Sequence, residues 1–215
     1  MAMMKPDEIY AESFRIIEAE VGEHSLSADQ WQIARRMIHA SGDLDLAQGT
    51  RFYREAVSAG VDALRGGCTI VTDVTMVAAG LNEQSLSRLG VRVVCLIDDP
   101  EIRAEAIARG ETRSRCAMEK ACDQVGEGIY VIGNAPTALL ALCSAVRQHR
   151  VRPRLIVGMP VGFVSVVESK QQAEALDLPL ITVLGRKGGS GLAAAAVNAL
   201  AELALAEQKL EEIGP

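Results

Sequence analysis

The stretch I-Y-V-I-G-N-A-P-T-A-L (Ile129–Leu139) decides how this chain is read. Four apolar, mostly β-branched residues run straight into a glycine turn, and proline then sits where a helix begins. The pattern recurs twice. Leu155-Ile156-Val157 runs into G-M-P-V-G-F-V (Gly158–Val164), and Leu180-Ile181-Thr182-Val183-Leu184 runs into G-R-K-G-G-S-G (Gly185–Gly191). Short apolar runs alternating with helix-length segments mark buried parallel strands. Ligands of such sheets bind outside the carboxyl ends of the strands. The three turns therefore belong to one rim, where glycine lets a ligand approach the backbone.

Working outward, Cys68–Thr72 and Val91–Ile97 read as two further strands, making five. Asp99-Pro100-Glu101 is a helix start with Asp as N-cap and Pro in the first turn, and Thr112 caps the next helix, which ends by Gly126. The last helix runs from Gly189 to Lys209. Between the strands no hairpin signal occurs, so right-handed crossovers give a three-layer α/β/α fold, doubly wound, mainly parallel and Rossmann-like. Upstream, Asp7–Glu20 is amphipathic. Ser27 and Gln30 form a capping box for a helix carrying Trp31, Ala34, Met37 and Ile38 and stopping near Gly42. Phe52–Arg65 reads as a third helix. Residues 1–215 are thus expected to be one domain: a helical extension over 1–65 and an α/β core over 66–210.

Composition narrows the function. Half of the 215 residues are apolar and aromatics are scarce, so the core is aliphatic. A net charge of −6 without a basic run argues against nucleic-acid binding, and an anionic ligand would need a local Arg/Lys cluster. Five cysteines without a C-x-x-C suggest reduced thiols in a cytoplasmic protein. The start lacks an apolar stretch after its charge, so no secretory leader is expected. No segment reads as long and uncharged enough to span a bilayer, the best being Leu192–Ala206. No metal-ligand spacing is evident.

For chemistry, His39 in R-M-I-H-A-S-G-D (Arg36–Asp43) lies at a helix C-terminus, where the dipole favours imidazolium and hence an acid role. The bland alternative is a histidine that merely satisfies the last helix carbonyls. Gly189-Ser190-Gly191-Leu192-Ala193-Ala194 fits G-x-G-x-x-A, but a dinucleotide site needs a following strand with an acidic residue, and only helix follows. A better use of that turn is carboxylate binding by Arg186, Lys187 and backbone N–H groups; a solvated basic loop is the alternative. Arg113, between Thr112 and Ser114 at a helix start, can pair with a carboxylate. Lys170 follows Glu168-Ser169 and otherwise reads as part of an exposed charge pair. Asp73 and Thr75 end the first strand and so belong to the same rim.

Together, R-M-I-H-A-S-G-D, T-R-S, G-N-A-P-T-A-L, G-M-P-V-G-F-V with E-S-K, and G-R-K-G-G-S resemble the precorrin-8X and cobalt-precorrin-8 methylmutases over about Tyr10–Ala201. The resemblance implies an isomerase of cobalamin biosynthesis that moves a methyl group from C-11 to C-12 of a contracted tetrapyrrole, giving hydrogenobyrinic or cobyrinic acid. It implies no cofactor and no metal, a homodimer, possible hand-off to the next pathway enzyme, and His39 as the catalytic group. The ring would lie among Ser13, Asp73 and Thr75. It would meet Thr112, Arg113 and Ser114, and then Asn134, Ala135, Pro136 and Thr137. From the last two strand ends come Gly158, Met159, Pro160, Gly162 and Lys170, with Arg186, Lys187, Gly188, Gly189 and Ser190. A non-catalytic corrinoid carrier is the alternative.

Overall fold

The structure is a computed structural model and describes residues 5–213. In chain order the elements are α1 (Pro6–Val21), α2 (Ala28–Ser41), α3 (Leu46–Gly49), β1 (Thr50–Tyr53), α4 (Ala56–Arg65), β2 (Thr69–Thr72), α5 (Thr75–Gly80), α6 (Glu83–Arg88) and β3 (Arg92–Cys95). There follow α7 (Pro100–Arg109), α8 (Arg113–Val125), β4 (Ile129–Ile132), α9 (Pro136–Arg147), β5 (Leu155–Gly158), α10 (Val166–Glu174), β6 (Leu180–Val183) and α11 (Ser190–Ile213).

The sheet order is β1-β6-β5-β4-β2-β3. Five strands are parallel, as expected, and pair in register from Ile70–Ile129 to Val157–Ile181. The sixth corrects the sequence reading. Thr50–Tyr53 pairs antiparallel with β6, Thr50 opposite Val183, so Phe52 and Tyr53 belong to a strand and the helix begins only at Ala56. Arg54 and Glu55, both at positive φ, turn the chain between them. Such a short edge strand has no buried run to announce it.

Side chains alternate across the strands as pleating demands. Ile129, Val131, Leu155, Val157, Ile181 and Val183 join α2, α4, α5 and α11 in one core. Val71, Tyr130, Ile132, Ile156 and Leu180 join α8, α9 and α10 in the other. The N-terminal helices are thereby part of one covering layer. Among the described helices only α11 has the length and apolarity of a membrane span, over Ser190–Leu210, contrary to the expectation of none; 67% of its most apolar 18 residues is buried inside the protein, where it is the central core helix.

The local signals behave as their chemistry predicts. Ser27 Oγ accepts from Gln30 N and the Gln30 side chain accepts from Ser27 N. Asp99 caps α7 through Glu101 N at 2.8 Å. Gly42, in the left-handed region, stops α2. All five cysteines are free thiols; burial pushes Cys68 and Cys143 up to about 11 and Cys122 up to about 12, which keeps them protonated.

Candidate active site

The chain starts the parallel sheet at β2, adds β3 on one side and then β4, β5 and β6 on the other. The order reverses between β2 and β4, the place where doubly wound sheets open a ligand crevice. Here the protein fills that crevice itself. The Asp73 carboxylate, only 2% exposed at the end of β2, accepts hydrogen bonds from Gly133 N at 3.0 Å, Asn134 N at 2.9 Å and Ala135 N at 2.7 Å. Burial raises its pKa above the ordinary value, and the three N–H donors work against that rise. Expected to face the ligand, Asp73 instead holds the G-N-A-P turn.

The three glycine turns do share one rim, and they pack on each other. Met159 N donates to Ile132 O at 2.8 Å, Gly189 N to Met159 O at 2.8 Å, and Gly162 N to Arg186 O at 3.3 Å. A Cβ at Gly133 would lie 2.7 Å from Ser190 Cα, and one at Gly188 would overlap the carbonyls of Met159 and Pro160. At these two positions glycine allows backbone to approach backbone rather than ligand. Gly158, Met159, Pro160 and Ser190 are accordingly buried, with Gly158 O accepting from Thr182 Oγ1 at 2.6 Å. Thr112 Oγ1 donates to Thr137 Oγ1 at 3.0 Å, which sets the T-R-S helix start, with Arg113 and Ser114, beside the turn containing Pro136. Thr75 Oγ1 donates to Asp98 rather than standing free.

Both lysines expected to clamp carboxylates are occupied by the protein. Lys170 is 5% exposed, and its Nζ donates to Val183 O at 2.7 Å, Gly185 O at 3.0 Å and Lys187 O at 2.6 Å. Burial lowers its pKa to about 8. The Lys187 ammonium contacts Asp43 Oδ2 at 2.8 Å and Asp45 Oδ2 at 2.7 Å, pairings that raise its pKa and lower that of Asp45.

What this platform leaves exposed is apolar surface flanked by arginine. Met76, Val161, Phe163, Val164 and Leu184 are all exposed beyond the strand ends, Phe163 by 83%. Arg186 lies over the Phe163 ring at 5.4 Å, and Arg113 and Asn134 are exposed. Exposed apolar side chains beyond the strand ends, with arginine beside them, give this rim the chemistry of a candidate ligand surface. Arg113 and Arg186 are the expected basic residues that remain open to a ligand.

His39 is exposed in the last turn of α2. Its ring meets Tyr10 edge-on at 5.2 Å and Phe14 at 5.5 Å, both from α1. Arg36 and Arg35 stack on these same two rings. Edge-to-face contacts hold an imidazole in one orientation without consuming its nitrogens. Ser13, between the two aromatics, donates to Ile9 O of its own helix at 2.8 Å. Tyr10 and Phe14 were not read as site residues; two aromatics four positions apart on an amphipathic helix, in a chain so poor in aromatics, were the available signal. Just beyond the Gly42 cap, Asp43 and Asp45 join Lys187, which fastens the His39 end of α2 to the rim.

Comparison with known proteins gives the family. The profile of the precorrin-8X methylmutase family matches residues 8–203. The cobalt-precorrin-8 methylmutase of Priestia megaterium is 40% identical over 201 residues, covering 94% of this chain and 89% of the relative. The precorrin-8X methylmutase of Pseudomonas aeruginosa is 42% identical over 195 residues, covering 90% and 93%. The crystal structure of precorrin-8X methylmutase from Thermus thermophilus superposes with a TM-score of 0.85 at 43% identity, covering 93% of this chain and 98% of that one. The chain belongs to the precorrin-8X methylmutase family.

Proposed function

We propose that this chain is an isomerase of cobalamin biosynthesis that moves a methyl group from C-11 to C-12 of precorrin-8X or cobalt-precorrin-8, with His39 as the acid. The observation that carries the reading is an exposed imidazole, edge-on to two aromatic rings, on a helix end tied to the apolar rim. A flat macrocycle fringed with carboxylates suits exposed Met76, Phe163 and Leu184 flanked by Arg113 and Arg186.

The reaction is internally balanced. The C-11–methyl bond breaks as the C-12–methyl bond forms on the same face, and no electron or atom is exchanged with a second reactant. His39, as imidazolium, donates to a ring nitrogen or carbon near the migrating methyl, withdraws electron density during the 1,5-shift and keeps or recovers its proton. One positioned acid contributes about 10²–10⁴-fold. Family likeness supports a homodimer and hand-off of product to the next enzyme, and five free thiols suit a reducing cytoplasm. The carrier alternative has no support in the family to which the chain belongs.

The test is to mix the purified protein with precorrin-8X and, separately, with its cobalt form. Methyl migration changes conjugation, so the visible spectrum shifts with turnover for the true substrate. Stoichiometric binding with neither spectrum converted would leave a carrier and refute the isomerase.

A further inference from the structure

The loop after β6 is gripped at both ends of one residue. The carbonyl oxygen of Lys187 accepts from the buried Lys170 Nζ at 2.6 Å, while its own ammonium reaches Asp43 and Asp45. The next residue, Gly188, is wedged against the carbonyls of Met159 and Pro160, where even a Cβ would not fit. Lys187 thus stands on a fixed base in the loop beyond β6 and reaches across to the segment that follows the His39 helix. Asp43 N in turn donates to Ser41 Oγ, and Asp45 N to Asp43 Oδ1, so the two carboxylates sit in one ordered turn beyond the Gly42 cap.

From this geometry we propose that Lys187 is a positioning residue for His39, holding the end of α2 against the rim, and is not a ligand for substrate carboxylates. The inference rests on the reading of His39 as the acid. An ammonium facing two carboxylates already has its counter-charges, and a third carboxylate from a ligand would have to displace one of them. Positioning has a large catalytic effect, because misplacing an acid by about 1 Å can cost about 10²-fold. Part of the held geometry would persist through the Gly42 cap, so the loss on cutting the tether is smaller.

The experiment compares Lys187→Met, Lys187→Arg, the pair Asp43→Asn with Asp45→Asn, and the combination of Lys187→Met with that pair. Asparagine at 43 can still accept from Asp45 N, so the turn is preserved while the charges go. The expected result is a kcat lower by about tenfold in Lys187→Met with KM little changed. Lys187→Arg recovers most of the rate, the asparagine pair loses as much as Lys187→Met, and the combination loses no more than either, as coupled residues do. A substrate ligand would behave oppositely: Lys187→Met would raise KM at constant kcat, and the asparagine pair would free the ammonium and lower KM. That outcome overturns the proposal. Amide hydrogen exchange over residues 40–46 reads the tether without turnover, so it separates this proposal from the acid assignment. Faster exchange in Lys187→Met supports the tether even if His39→Ala stays active, and unchanged exchange refutes it.

Discussion

Replacing Lys170 by methionine tests the interior of the rim most sharply. Methionine fills similar space but takes the donor from three carbonyls, those of Val183, Gly185 and Lys187. Hydrogen bonds to a charged group contribute about 1.5 kcal/mol each at the lower end, so about 4–5 kcal/mol is lost. The same substitution removes the penalty of burying an ammonium. A pKa lowered from 10.5 to about 8 makes that penalty about 3 kcal/mol. At pH 7 the variant is therefore less stable by only about 1–2 kcal/mol. The sign of the pH dependence follows from linkage. Lys170 releases its proton in the folded state at about 8 and in the unfolded state at 10.5, so between these values the unfolded chain holds more protons and stability rises with pH. The native protein gains this stability and the methionine variant does not, so the deficit widens from about pH 8 towards pH 10.5. Other ionisations are common to both proteins and cancel in the difference. Urea unfolding at several pH values, followed by the single tryptophan Trp31, measures it. A deficit that stays flat or shrinks from pH 8 to pH 10 would refute the buried, carbonyl-clamped ammonium.

The other expectations concern the same rim. Asp73→Ala strips the acceptor from three backbone N–H groups and lowers stability by about 3 kcal/mol or more; a loss under about 1 kcal/mol in urea would mean the crevice is not closed by that carboxylate. Gly133→Ala drives a methyl against Ser190 Cα and costs about 1–3 kcal/mol, measurable in the same titration; an unchanged midpoint would show the turns are not in contact. Phe163→Ala leaves the fold within about 0.5 kcal/mol, because the ring is exposed, yet weakens corrinoid binding about tenfold or more through lost apolar contact; unaltered affinity would remove the ring from the site.

Much of the fold could be read from local chemistry. The apolar runs at 129, 155 and 180 are buried on both faces, and such runs need no tertiary information to identify them. The Ser27–Gln30 box and the Gly42 cap are local hydrogen-bond devices and form where they are written. β1 escaped because four residues at an antiparallel edge carry little pattern, and Phe52 and Tyr53 fit a helix equally well. Arg54 and Glu55 break the helix at positive φ without glycine or asparagine to warn of it. The glycine turns do meet at one rim, but their sequence suggested the wrong partners for several residues. Whether Asp73 and Lys170 point outward depends on partners distant in sequence, Gly133 to Ala135 for one and the carbonyls after β6 for the other. Charge and strand-end position alone read both as ligand contacts. The aromatic seat of His39 was hidden for the same reason, since it exists only when α1 packs on α2.

The central claim is that one imidazole at this rim drives the methyl shift. Single-turnover conversion by His39→Ala, followed in the visible spectrum beside a product-binding titration, tests it most directly. The account predicts that conversion slows by about 10²-fold or more while the corrin product binds with nearly native affinity. Conversion by the alanine variant at the native rate would contradict it.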